Sequence, residues 1–67
     1  MKIFSRRLKE LRTEKKLSTM ALRKIIDVSN MAISRWENDK TDIVSDNLIK
    51  LVKFFDVSVD YLLGLED

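Results

Sequence analysis

Ser29 stands only three residues beyond Ile26, and this spacing limits the fold more than any other feature of the chain. Ser18 is a good N-cap, and the segment after it puts Leu22 and Ile26 on one helical face, with Leu17 placed to staple back onto it. Ser29 caps the next periodic segment, in which Ala32, Ile33 and Trp36 share a face. Two helices whose boundaries lie this close must be joined by a tight turn through Asp27 and Val28, so the pair reads as a helix-turn-helix.

The flanking segments are helical by the same criteria. Phe4, Leu8 and Leu11 recur at i, i+4 and i+7, giving a first helix from about Phe4 to Lys15 with one apolar stripe. After the polar run Asn38-Asp39-Lys40-Thr41-Asp42, Ser45 is the expected cap of a fourth helix with Leu48, Leu51, Val52 and Phe55 on its inner face. Ser58 is the expected cap of a short fifth, which contributes Leu62 and Leu63 to the core and stops at Gly64, where a left-handed backbone costs least. No alternating strand pattern competes. The 67 residues hold one domain, residues 1–67, with an apolar fraction of 45% and a charged fraction of 36% suited to a folded chain. A lone core of this size supplies only roughly 3–5 kcal/mol, so self-association is a natural supplement.

Composition removes most chemistry. The chain has no Cys and no His, which excludes disulfides, thiol nucleophiles, the usual zinc sites and imidazole acid-base catalysis. A single Gly and no Pro exclude glycine-rich phosphate loops. The expectation is therefore a non-enzyme with no catalytic residue, cofactor, metal or small-molecule substrate. The apolar pairs Leu48-Ile49 and Leu51-Val52 are interrupted by Lys50 and Lys53, so no membrane span is expected. The N-terminal run to Arg7 turns charged too early for a secretory signal, which leads to a cytoplasmic expectation. The net charge of +2 is unevenly spread: residues 1–16 carry +5 and residues 43–67 carry −3. A basic segment of this kind meets a polyanion or forms a solvated helix face, and charge alone does not choose.

On a helical wheel, Asn30, Met31, Ser34, Arg35 and Asn38 occupy one arc of the third helix, opposite Ala32, Ile33 and Trp36. The presented arc holds groups that donate and accept hydrogen bonds, one guanidinium, one thioether and no carboxylate. That inventory suits base edges and phosphates.

Arg6-Arg7-Leu8-Lys9-Glu10-Leu11-Arg12, Leu17-Ser18, Leu22, Val28-Ser29, the run Ile33 to Asn38 and the run Val57 to Gly64 together resemble the lambda-repressor-like, Cro and XRE-type helix-turn-helix regulators, over nearly the whole chain. The resemblance implies an all-α, compact five-helix lambda-repressor-like domain with its helix-turn-helix at helices two and three. It further implies a sequence-specific DNA-binding transcriptional regulator, a repressor that occupies a double-stranded operator. Carried over by position, Ser29, Asn30, Met31, Ser34 and Arg35 become base readers, and Ser18, Thr19, Asn38 and Lys40 become phosphate contacts. Arg12 and Glu37 become an ion pair between the first helix and the end of the third. Val59 and Tyr61 lie near the contact of a homodimer assembled on DNA. The end at Leu65-Glu66-Asp67 fits either a small Cro-like protein or an isolated DNA-binding domain.

The chain also departs from the family. Lys16, Asp27 and Asp39 stand where Gly is usual and must tolerate a left-handed backbone. Arg23 replaces a small residue and must bend its side chain outward. Thr19 replaces a longer Gln. Met20, Ile25 and Ile43 are apolar at positions more often polar, which keeps a protein-interaction module of the same fold as the alternative function.

Overall fold

A computed structural model describes residues 2–65, apart from the side chains of Lys2 and Asn30. Five helices follow in order: α1 (Lys2–Glu14), α2 (Thr19–Ile26), α3 (Asn30–Glu37), α4 (Ser45–Phe55) and α5 (Val59–Leu63). No strand occurs among the described residues.

The helix starts show which caps are made. Ser18 accepts from the Ala21 N–H at 3.0 Å and Ser58 from the Tyr61 N–H at 2.9 Å, satisfying donors that would otherwise lack an intrahelical partner. Ser29 has the extended N-cap backbone, but its hydroxyl makes no capping bond. Ser45 is not the cap of α4. The helical ladder begins one residue earlier, with the Val44 carbonyl accepting from Leu48 N at 3.0 Å, so Val44 holds the extended cap conformation and Ser45 is already helical. Ile43, just before this cap, is partly buried against the core, which is consistent with the chain turning into α4 at Val44.

All five helices end in the same way. A residue in the left-handed region closes each one: Lys16 at φ 57°, Asp27 at 56°, Asp39 at 56°, Asp56 at 57° and Gly64 at 83°. The next residue's N–H then reaches back five positions: Leu17 to Arg12, Val28 to Arg23, Lys40 to Arg35, Val57 to Val52 and Leu65 to Asp60, at 2.7–3.1 Å. This is the Schellman arrangement, in which the residue after the left-handed one commonly makes an apolar contact with the helix it terminates. Leu17, Val28 and Val57 do pack against the core. Lys40 is the only charged residue at the equivalent position.

The core consists of Phe4 and Leu8 from α1, Leu22 and Ile26 from α2, Ile33 and Trp36 from α3, Leu51 and Phe55 from α4, and Leu62 from α5. Each such side chain contributes about 1.5–3 kcal/mol on leaving water. α3 packs against α1 and α2, α4 against α2 and α5, and α5 against α1. α3 is thus supported along its inner side by two helices.

Candidate nucleic-acid interface

The inner side of α3 buries Ile33 completely and Trp36 almost so, with Ala32 half-covered, while Met31, Ser34 and Arg35 are exposed. Met31 leaves 59% of its surface to solvent, an exposed large apolar group on this face. Asn30 belongs to the same expected arc, but its side chain lies outside those described. Asn38 is exposed beyond the helix end and turns its amide back: Nδ2 donates to the Ser34 carbonyl at 2.7 Å and lies 3.3 Å from Ser34 Oγ. Two residues assigned separate roles from the sequence are therefore coupled in the free molecule.

The C-terminal end of α3 is held from α1 at two successive residues. Ser5, buried to 6% exposure, donates its hydroxyl to the Trp36 carbonyl at 2.5 Å. Two turns along α1, Arg12 grips Glu37 with both ends of its guanidinium, Nε to Oε2 at 2.7 Å and Nη2 to Oε1 at 3.0 Å. Its third nitrogen, Nη1, donates to the Leu17 carbonyl at 2.7 Å, so one side chain joins α1, the α1–α2 link and the end of α3. The pair is largely enclosed, with side-chain exposures of 13% for Arg12 and 7% for Glu37. The hydrogen bond that Arg12 donates to Glu37 raises the Arg12 pKa above the ordinary guanidinium value, against an opposing effect of burial, so Arg12 stays charged. The electrostatic consequence reaches the outer face: the carboxylate closest in sequence to Arg35 is neutralised on the inner side. Sequence reasoning missed Ser5. Its available signal was position, because Ser5, Leu8 and Arg12 follow one another at i, i+3 and i+7 on α1.

Around α3 stand the remaining predicted contacts. Ser18, Ser29 and Lys40 are exposed and Thr19 is half-buried. Ser18 Oγ uses a lone pair on Ala21 N–H, which leaves its own proton for an acceptor. Val59 is 37% exposed and Tyr61 half-buried, both on α5 and separate in sequence from the α2–α3 unit. Arg23 is half-buried. Met20 and Ile25 are each about half exposed. Five positions apart on one helix they point roughly 140° from each other, and with Ile43 packed inward the three make no continuous apolar face. Among the described residues no cluster of His, Cys, Asp and Glu is arranged to hold a metal ion, and no helix is long and apolar enough to cross a membrane.

Comparison with known proteins agrees with this geometry. Residues 8–62 match a family model described as helix-turn-helix. The chain is 39% identical over 61 residues to the repressor protein C2 of Salmonella phage P22, covering 91% of this chain and 28% of that protein. It is also 39% identical over 64 residues to the HTH-type transcriptional activator BcrR of Enterococcus faecalis, covering 96% of this chain and 31% of that one. The chain thus spans less than a third of the length of these two relatives. A crystal structure of the P22 c2 repressor in complex with a synthetic operator superposes with a TM-score of 0.84 at 37% identity, covering 92% of this chain and 94% of the other. With the helix-turn-helix at α2 and α3, the five-helix order and matches over most of its length, the chain belongs to the XRE-type helix-turn-helix family.

Proposed function

We propose that this chain is a sequence-specific DNA-binding transcriptional regulator that represses by occupying an operator as a two-fold dimer. The observation that carries this reading is the outer face of α3: Met31, Ser34 and Arg35 are presented together without a carboxylate, on a helix whose opposite face is fixed by Ile33, Trp36, Ser5 and Arg12. An interface of this kind reads base edges only if its backbone does not move on contact, and the two tethers to α1 provide that rigidity. The similarity to the P22 repressor, whose solved complex contains an operator, supports the same reading.

In this proposal α3 enters the major groove. Met31 meets thymine methyl groups, Asn30 and Ser34 hydrogen-bond base edges together with Ser29, and Arg35 takes a guanine or a nearby phosphate. Ser18 and Thr19 at the start of α2 and Asn38 and Lys40 beyond α3 clamp the backbone on either side and fix the register. Asn38 exchanges its bonds to Ser34 for one to phosphate, so docking and base reading are linked at that end of the helix.

Dimensions support the dimer. α3 has eight residues, roughly 12 Å of helix, and the whole domain extends 28 Å along its longest axis. Successive major grooves on one face of DNA lie about 34–36 Å apart, so one copy reads one groove and a second copy must read the next. Val59 and Tyr61 on α5 are the proposed contact between copies. The regulator has no catalytic step and works in the cytoplasm, on the nucleoid when bound.

Selection from random duplexes tests the reading. The expected result is an enriched palindromic sequence, with Ser34→Ala and Arg35→Ala each losing preference at particular base pairs while the fold persists. Failure to enrich any sequence, even at low salt where phosphate contacts are strongest, overturns it.

A further inference from the structure

α5 has five residues, too few to be helical without support, and its orientation must come from what it touches. Leu62 fixes its inner side in the core. α5 also packs against α4, and two specific contacts come from α1. Arg7 lies with its guanidinium carbon 4.3 Å from the centroid of the Tyr61 ring, and its Nη1 donates to the Tyr61 main-chain carbonyl. One turn earlier, Ile3 lies against Gly64 so closely that a Cβ at Gly64 would stand 2.6 Å from Ile3 Cγ2. The first contact holds both the ring and the backbone of one residue, and the second requires the absence of a side chain where α5 ends.

We infer that Arg7 is a positioning residue for the contact between subunits: it holds Tyr61 in the pose that the second copy meets. The inference rests on the dimer of the proposed function and adds to it the residue that prepares its surface. A guanidinium stacked on an aromatic ring covers one ring face, so the partner subunit meets the remaining face or edge together with Val59. The simultaneous bond to the Tyr61 carbonyl prevents the ring and the helix from moving independently. Ordering completed before association is not charged against it, and pairing on DNA is tighter for that reason. Arg7 belongs to the basic first segment, but its cation is committed to α5, which separates it from the residues assigned to DNA.

The test compares a full palindromic operator with a duplex carrying one half-site, using the whole chain and the variants Arg7→Met, Arg7→Lys and Val59→Asp. Half-site affinity reports the fold and the reading face; the ratio of palindrome to half-site affinity per subunit reports pairing. For Arg7→Met, half-site affinity stays within about twofold and the palindrome advantage falls about tenfold, the size expected for loss of a partly desolvated cation–π contact with its hydrogen bond. Arg7→Lys keeps a cation near the ring without the guanidinium's forked donors and recovers part of the advantage. Equal loss on both duplexes means that Arg7 serves stability only and overturns the positioning role. If Arg7→Met keeps the advantage that Val59→Asp abolishes, the role is also wrong while the dimer stands. If the unaltered chain shows no palindrome advantage, the dimer reading fails and the positioning role fails with it.

Discussion

Arg12 shows how much one residue can hold in a domain of this size. Its guanidinium meets Glu37 in a two-pronged pair that is nearly enclosed, and its third nitrogen closes on Leu17. An exposed pair of the same type contributes about 0–1 kcal/mol, but removing one partner of an enclosed pair leaves a buried charge and costs about 3–5 kcal/mol. That is comparable to the whole stability available to a small core. Arg12→Met is therefore expected to be largely unfolded at 25 °C, as measured by circular dichroism and urea titration. Arg12→Met combined with Glu37→Leu removes both charges and should regain most of the loss. The pH dependence follows from the raised pKa. A cation whose folded pKa lies above its unfolded value gives its full stabilisation below the unfolded pKa and loses it only as pH rises through the folded one, so for Arg12 that window lies above the ordinary guanidinium range. The stability difference attributable to Arg12 is then the same at pH 7 and pH 9. The pairing was readable only through family resemblance, because no local periodicity links two residues 25 positions apart. Ser5 had only its position on the face of Leu8 and Arg12, a weak signal because a serine beside an apolar stripe looks like any surface serine until Trp36 is placed above it.

At the scale of elements, one tripeptide pattern builds three of the four links: Lys16-Leu17-Ser18, Asp27-Val28-Ser29 and Asp56-Val57-Ser58. Each consists of a left-handed residue, an apolar residue packed on the core, and a serine that opens the next helix. The left-handed backbone costs a non-glycine residue roughly 1–2 kcal/mol, less for Asp than for most, whereas glycine adopts it freely but loses about 0.5–1 kcal/mol more on ordering. Lys16, with no short side chain to bond locally, is the residue where glycine gains most. Lys16→Gly should raise stability by about 0.5–1 kcal/mol, read as a higher denaturation midpoint; an unchanged or lower midpoint would contradict the strain assigned to Lys16. The caps give a paired comparison. Ser58→Ala removes the bond to Tyr61 N–H and should cost about 1 kcal/mol, whereas Ser45→Ala removes no cap and should stay within about 0.5 kcal/mol. Serine at a helix start was legible in the sequence. Which serine caps was not, because at α4 the helix starts one residue before Ser45, beside an Ile43 partly buried against the core, and the sequence did not show that contact.

For the whole molecule, the one link that departs from the tripeptide is the one after α3: it is longer, no serine follows to open the next helix, and its middle position holds Lys40 in place of an apolar residue. The Schellman bond from Lys40 N to the Arg35 carbonyl is made at 2.9 Å as in the other links, but the side chain that elsewhere turns toward the core is here an exposed ammonium. Packing does not require a cation at this position. In the proposed complex a phosphate passes the end of α3, and a fixed backbone bearing a positive charge there would neutralise it without specifying a base. The overall charge agrees only in part: the basic first segment includes Arg7 and Arg12, both directed to intramolecular partners, so the sum over residues 1–16 overstates what α1 offers to DNA. Lys40→Leu separates the two demands on this link. An apolar residue matches the middle position of the other links, so the denaturation midpoint should hold or rise slightly. Operator affinity should fall at every sequence alike, and the slope of log affinity against log salt should become shallower by about one, the change expected for one phosphate contact. Ser34→Ala or Met31→Ala should do the reverse, leaving the salt slope in place and altering which base pairs are preferred. A Lys40→Leu chain that kept its salt slope, or lost affinity at some base pairs and not at others, would remove Lys40 from the phosphate clamp and leave its exception to the pattern without a role.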